Sequence, residues 1–527
     1  MTSESLRARG PGAEERLPGL EPPPAPRSLG RWLAVFGPGA IIASLTIGTG
    51  ELVFSSRAGA LFGFDVLWLF LLTCVLKWVL LYGAARHMVL CGIHPFERYA
   101  RLPGPRGWFP LTLLLLAAVA FPIWTGFVGG VLGTLLEGRF GLDAHLSGIV
   151  ATALAVLLVL RGGYDVLERV QLFVVAALLL AVGLSLVLMR PDWLAVAKGL
   201  FVPAFLEYPR WLPSASPELA ARPVALEVAT YVGVIGGSAY DYLAYVAFLR
   251  NKSWGLSSHP VRERSALEAI SQSHGDLLRR WTRAPLIDAS ISFAVVLVFS
   301  CVFAVSGAMV LGPQHQIPRG DNLLNLQAQF VTQLHPWLLP LYVAGAFLAI
   351  AGTLYATIAV APAVLGEAIR AVRPVRPPSV DRRVSRGIVL WSGGGGIAVL
   401  IWSALYRTFG GGAAQPPTLV EIVTPANLFT GVLACGLICL LNPWLDLKFL
   451  PRSLHMSRTL FVLNVVAGLF FVILGVRGYW DFGVQKFPEW GGGWLGGLAL
   501  LLTFLMGAAG AWFLERGAAR RGDGETR

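Results

Sequence analysis

The sequence predicts an all-α integral membrane protein of about twelve transmembrane helices, two of them interrupted, and three observations carry that prediction. Of the 527 residues, 55% are hydrophobic and 14% charged, too little charge to cover a soluble protein of this size. Apolar runs of about 20 residues, the length that crosses a bilayer, recur along the chain between short basic clusters. Two of these runs carry a glycine-weakened stretch followed by a carboxylate, Gly48-Thr49-Gly50-Glu51 and Gly236-Gly237-Ser238 with Asp241. A continuous membrane helix disfavours both features, because glycine weakens the helix and an ionisable side chain is expensive in hydrocarbon. Both runs therefore read as broken helices, which survive only where protein or a watery cavity satisfies the freed backbone groups.

Residues 1–30, rich in Pro, Gly, Glu and Arg and without an apolar core, read as a disordered tail rather than a signal peptide or a folded domain. The apolar runs follow at 38–57, 65–91, 108–136, 144–161, 166–190, 224–250, 284–312, 335–371, 386–406, 419–441, 458–478 and 490–515, termed spans 1 to 12. They form one expected transporter domain, 31–515, followed by a short tail, 516–527. Lys and Arg concentrate in alternate loops, around Arg86–Arg106, Arg161–Arg169, Arg250–Arg283, Arg370–Arg386, Lys448–Arg458 and Arg516–Arg521. The positive-inside rule then places both termini in the cytoplasm, with a bacterial plasma membrane as the expected location. The basic segment SALEAISQSHGDLLRRW in the 250–283 loop predicts an amphipathic helix at the inner surface. The proline-bearing 191–223 loop predicts an ordered external excursion or a flexible cap.

The two breaks lie five spans apart, an odd offset that inverts topology. Spans 1–5 and 6–10 are thus readable as two inverted repeats whose first helices are both interrupted near the midplane. The alternative for each break is a close helix contact through glycine, with the acid snorkelling or paired to a base. Lys77 in span 2 either pairs with Glu51 or snorkels toward the inner boundary, and snorkelling is the favoured reading. Asp288, Asn427 and Asn464 read as packing or hydrogen-bonding residues. In span 8, Thr353 and Thr357 share a face and are candidates to line the pathway.

Several function classes are excluded. The formal net charge of +12 sits in loop clusters rather than on a nucleic-acid-binding face. The five cysteines show neither disulfide nor zinc spacing. No nucleophile triad, phosphate loop or metal-protease motif appears, so neither an enzyme nor a bound cofactor is expected. The expected partners are the bilayer and a transported solute.

Residues 37–60 resemble the first helix of the Nramp family of divalent-metal transporters, which carries a GP start, a DPGN break and a QAGA-like end before an FG[YF]-x-LLW turn. The matching residues are Gly37-Pro38, Arg57-Ala58-Gly59-Ala60, Phe62-Gly63-Phe64 and Val66-Leu67-Trp68. Further similarities are Ala84-Ala85-Arg86, Arg161-Gly162-Gly163-Tyr164 with Leu167-Glu168, Pro191-Asp192-Trp193, and Gly199-Leu200-Phe201-Val202-Pro203. The resemblance implies the LeuT-type fold, ten core helices in two inverted five-helix repeats plus two peripheral ones.

The ligand positions depart from that family. Its metal-binding Asp and Asn of helix 1 align with Gly48 and Glu51, and its proline with Thr49. Its Met-Pro-His of helix 6 aligns with Ser238, Ala239 and Tyr240. What remains is an all-oxygen set of Glu51, Asp241, Ser238, Thr49, Tyr240 and the carbonyls around Gly48 and Gly236. Such ligands suit hard divalent cations of the Mg²⁺ or Mn²⁺ class, with proton coupling as an option. A magnesium-transporting branch of the resembled family also lacks the Met. Two other readings stay open: a transporter of a small organic solute such as an amino acid, and a non-transporting Nramp-like sensor, which the short tails disfavour.

Overall fold

In the computed structural model, the described residues are 48–162, 165–319, 324–373, 378–409 and 419–520, with Pro23. The expected tail 1–30, the Gly37-Pro38 start, Gly163-Tyr164 and the end of the chain from 521 lie outside them. Nearly every described element is helical. Ten helices are long and apolar enough to cross a membrane, or eleven if the bent pair Val175–Leu188 and Trp193–Phe201 counts as one span. The first of the ten, Gly50–Cys91, has 42 residues, a helical length of about 63 Å, twice a bilayer core. It is divided by a 3₁₀ turn, Gly63–Val66, with Gly63 at φ 61°. Residues 50–57 of the first predicted span and the whole of the second, 65–91, therefore lie in this single stretch.

Span 1 begins, as described, with a π-helical turn, Thr49–Ser55, and continues as an α-helix over Ser56–Phe62. Span 2 is Leu67–Cys91, span 3 Trp108–Phe140, span 4 Ala144–Arg161 and span 5 Asp165–Leu188. Span 6 is broken into Val224–Val234 and Ala239–Lys252. Span 7, Arg283–Ser306, ends in a π-turn, Gly307–Leu311. Spans 8 and 9 are Leu339–Val372 and Pro378–Phe409. Span 10 is α over Leu419–Asn427, π over Leu428–Leu433 and α over Ala434–Phe449. Spans 11 and 12 are Arg458–Lys486 and Gly492–Arg520. The predicted amphipathic helix is Arg264–Trp281, and the 191–223 excursion contains the short helices Trp193–Phe201, Leu212–Ala215 and Pro217–Ala220.

Burial sorts the spans into layers. Spans 6 and 10 are the most enclosed and span 12 the least. Spans 4, 9, 11 and 12 turn Leu154, Leu390, Ile473 and Met506 outward, the surface that lipid solvates. Around the centre, glycines let helices approach closely. A Cβ on Gly59 would lie 1.8 Å from the Ala304 carbonyl oxygen, which seats span 1 on span 7. One on Gly431 would lie 2.0 Å from that of Gly233, which seats span 10 on span 6.

The charge asymmetry predicts the orientation of this bundle. A cysteine replacing exposed Ser273 should react with an impermeant thiol reagent only from the cytoplasmic side, and one replacing exposed Ser214 only from outside. Cys74, Cys91, Cys435 and Cys439 are buried and give little background. Reaction of both positions from one side would overturn the twelve-span parity.

Candidate functional site

The site is built where the break in span 6 meets the start of described span 1 at Gly48–Glu51. Span 6 breaks over residues 235–238, with Gly236 at φ 80° and Gly237 at φ 91°. Both angles lie in the left-handed region, which costs a residue with a Cβ roughly 1–2 kcal/mol. The break leaves a cluster of carbonyls without helical partners. Lys77 from span 2, fully buried, supplies them: its Nζ donates to the carbonyl oxygens of Gly233, Ile235 and Gly237 at 3.3, 2.8 and 2.5 Å. The Tyr242 hydroxyl donates to Gly236 O at 2.5 Å. Lys77 lies ten residues in from Leu67 and fourteen from Cys91, about 15 and 21 Å along the axis. Neither end of the span is in reach of its side chain, so the snorkelling expected from sequence does not occur.

Glu51, also fully buried, reaches across from the π-turn of span 1. Its Oε1 accepts the Gly236 N–H at 3.4 Å, while Oε2 has no hydrogen-bond partner. Asp241 caps the lower half of span 6, its Oδ2 accepting the Ser238 N–H at 2.6 Å.

A cavity of about 80 Å³ opens at the junction, lined by Gly50, Gly237, Ser238, Asp241, Thr353 and Thr357, with Phe121, Trp124 and Phe127 of span 3 as an aromatic wall. The Thr353 and Thr357 hydroxyls donate back to Ala349 O and Thr353 O at 3.0 and 2.8 Å. Gly48 sits where any Cβ would come within 2.0 Å of Thr353 Oγ1.

The residues singled out from sequence are thus divided. Ser238, Asp241, Thr353 and Thr357 face the cavity. Glu51 is not among its lining residues and lies at the Gly236 N–H. The span 6 carbonyls, expected as free ligands, are already engaged by Lys77 and Tyr242. Tyr240 points elsewhere: its hydroxyl donates to Leu113 O at 2.7 Å and its ring stacks on Phe121. That correction follows from helix phase, since Tyr240 and Asp241 are neighbours about 100° apart on the helix. Thr49 opens the π-turn, and its side chain lies outside the described residues. Among the described residues no three His, Cys, Asp or Glu side chains converge as a metal cluster. Sequence reasoning missed Lys77 and Tyr242 as break-fillers; the signal for Lys77 was its mid-span position.

Buried ion pairs flank the site. On one side Glu227 of span 6 holds Arg57 of span 1 at 2.8 Å and Arg222 at 3.1 Å, and accepts the Tyr231 hydroxyl at 2.7 Å. Toward the opposite end, Arg86 of span 2 pairs with Asp446 of span 10 at 2.5 Å, and Asp446 also accepts the Met456 N–H.

The sequence model described as "Natural resistance-associated macrophage protein-like" matches residues 39–373, which include both interrupted spans and the cavity. The chain belongs to the Nramp family. Among similar Nramp relatives, a "Divalent metal cation transporter MntH" of Caldanaerobacter subterraneus subsp. tengcongensis is 25% identical over 289 residues, 54% of this chain and 61% of the relative. The alignment thus spans less than two thirds of that relative's length. A manganese transporter of Eremococcus coleocola superposes with a TM-score of 0.68 at 16% identity, over 95% of this chain and 98% of the other. MhsT in complex with L-phenylalanine gives 0.51 at 14% identity, over 84% and 98%. These likenesses establish the LeuT-type fold. Gly48, Glu51 and Ser238, the positions set against the Nramp ligands from sequence, lie around the break that Lys77 fills.

Two stability outcomes follow. Gly237→Ala should lower stability by about 1–2 kcal/mol through its positive φ, read as earlier thermal unfolding, whereas Gly366→Ala, with open space at its Cβ, should not. Arg86→Met should cost about 3–5 kcal/mol by stranding Asp446, and adding Asp446→Leu should recover most of it. Equal stability of the single and double variants would remove the ion pair as a fastener of spans 2 and 10.

Proposed function

We propose that this chain is a secondary transporter of a hard divalent metal cation, of the Mg²⁺ or Mn²⁺ class, across a bacterial plasma membrane, with both termini cytoplasmic. The observation that carries the reading is Asp241, a partly buried carboxyl held by its helix cap and opening onto a cavity at the break of span 6, beside Gly50 of span 1. Family membership and the names of the relatives support a divalent cation as the substrate.

The chemistry available is all oxygen. The cation approaches Asp241 with Ser238, Thr353 and Thr357 beside it, an oxygen donor set that suits hard ions. A cavity of about 80 Å³ has room for several waters at ~10–15 Å³ of probe volume each, so the ion keeps part of its hydration shell, as Mg²⁺ prefers. Glu51, across the break, is a second carboxyl at the junction, its Oε1 at the Gly236 N–H. Coupling to protons would use these same carboxylates.

The aromatic wall of Phe121, Trp124 and Phe127 favours one second reading, a small organic solute held between that wall and Asp241.

Proteoliposome flux separates the two. Saturable uptake of Mg²⁺ or Mn²⁺ is expected, abolished or reduced at least tenfold in Glu51→Gln and Asp241→Asn at unchanged expression. Uptake of an amino acid or amine without any metal flux would replace the metal reading with the solute reading. Wild-type metal flux in Asp241→Asn would remove that residue from the site.

A further inference from the structure

We infer that the Lys77 ammonium is a tethered counter-ion that permanently fills the cation position created by the break in span 6, so this half of the junction holds no free ion and the substrate is confined to the Asp241 side. The second clause rests on the proposed transport reading; the first stands on geometry alone.

An ammonium carries three N–H donors and no acceptor. Here three carbonyl oxygens, from Gly233, Ile235 and Gly237, lie 2.5–3.3 Å from Nζ, so donor and acceptor numbers match. All three belong to the C-terminal end of the upper half-helix Val224–Val234 or to the break beyond it. Helix C-termini and unwound carbonyls present partial negative charge, the arrangement that binds cations in interrupted membrane helices. Glu51 adds a carboxyl whose Oε2 has no hydrogen-bond partner. Oxygens gathered and buried in this way are costly unless a donor or cation meets them. Span 2 delivers that cation covalently. Lys77 does not line the cavity, whereas Asp241, Gly233 and Gly237 do, so the tethered amine fills the break while the open space lies beside Asp241.

Chemical rescue tests the assignment. Lys77→Ala removes the propylammonium portion of the side chain and leaves its space. The purified variant should unfold at a lower temperature than the native protein, and millimolar n-propylammonium should restore most of that loss saturably while 1-propanol does not. Lys77→Met fills the space with an apolar chain and should be destabilised without rescue. No propylammonium effect on Lys77→Ala beyond that on the native protein, or equal rescue by propanol, would overturn the inference. If the variants do not fold, reductive methylation of the native protein decides: Lys77 should stay unmodified under conditions that methylate exposed Lys198 and Lys252, and comparable modification would overturn it. Absence of metal flux alongside intact rescue sinks only the transport reading.

Discussion

The structure depends on satisfying the backbone that span 6 exposes when it breaks. Four consecutive or near-consecutive carbonyls, of Gly233, Ile235, Gly236 and Gly237, lose helical partners in a region with little water, where each unsatisfied group costs several kcal/mol. One ammonium and one phenol supply them, Lys77 from span 2 and Tyr242 from the lower half of span 6 itself. The break is thereby fixed in place. Its left-handed glycines, the reach of Glu51 to the Gly236 N–H and the capping role of Asp241 all follow from that position.

Close packing transmits the constraint outward. Gly233, at the end of the upper half-helix, lies against Gly431 in the π-turn of span 10, and Gly48 lies against Thr353 of span 8. Side chains at these glycines would separate the helices that form the cavity. Farther out, Glu227 with Arg57 and Arg222 ties spans 1 and 6, and Arg86 with Asp446 ties spans 2 and 10. Buried pairs of this kind contribute modest net stability but fix which helices neighbour one another.

Within the Nramp family the chain keeps the architecture. The fold is shared at 16% identity with a solved manganese transporter, because hydropathy and close glycine contacts specify helix packing with few fixed residues. Buried Lys77 occupies the backbone oxygens of the break, and the side chains of Ser238 and Asp241 face the cavity. Substrate choice in such a site is decided by what remains free, not by which polar residues are nearby in sequence.

Much of the fold was legible in the residues. Span 4 lies at 144–161 in both reading and structure, and the glycine-plus-acid pattern marked the broken spans, because hydropathy and helix propensity are local properties. Other boundaries drifted: span 11 runs on to Lys486 and span 10 contains a π-turn, since helix ends and windings answer to neighbours. The site was legible only as a set of residue types. Which of them face the cavity, that Tyr240 turns to Leu113, and that Lys77 points into the break instead of toward the membrane surface were decided by tertiary structure. The physical reason is that a carbonyl freed in one span can be satisfied only by a group from whichever element packs against it, and that adjacency is a property of the assembled helices.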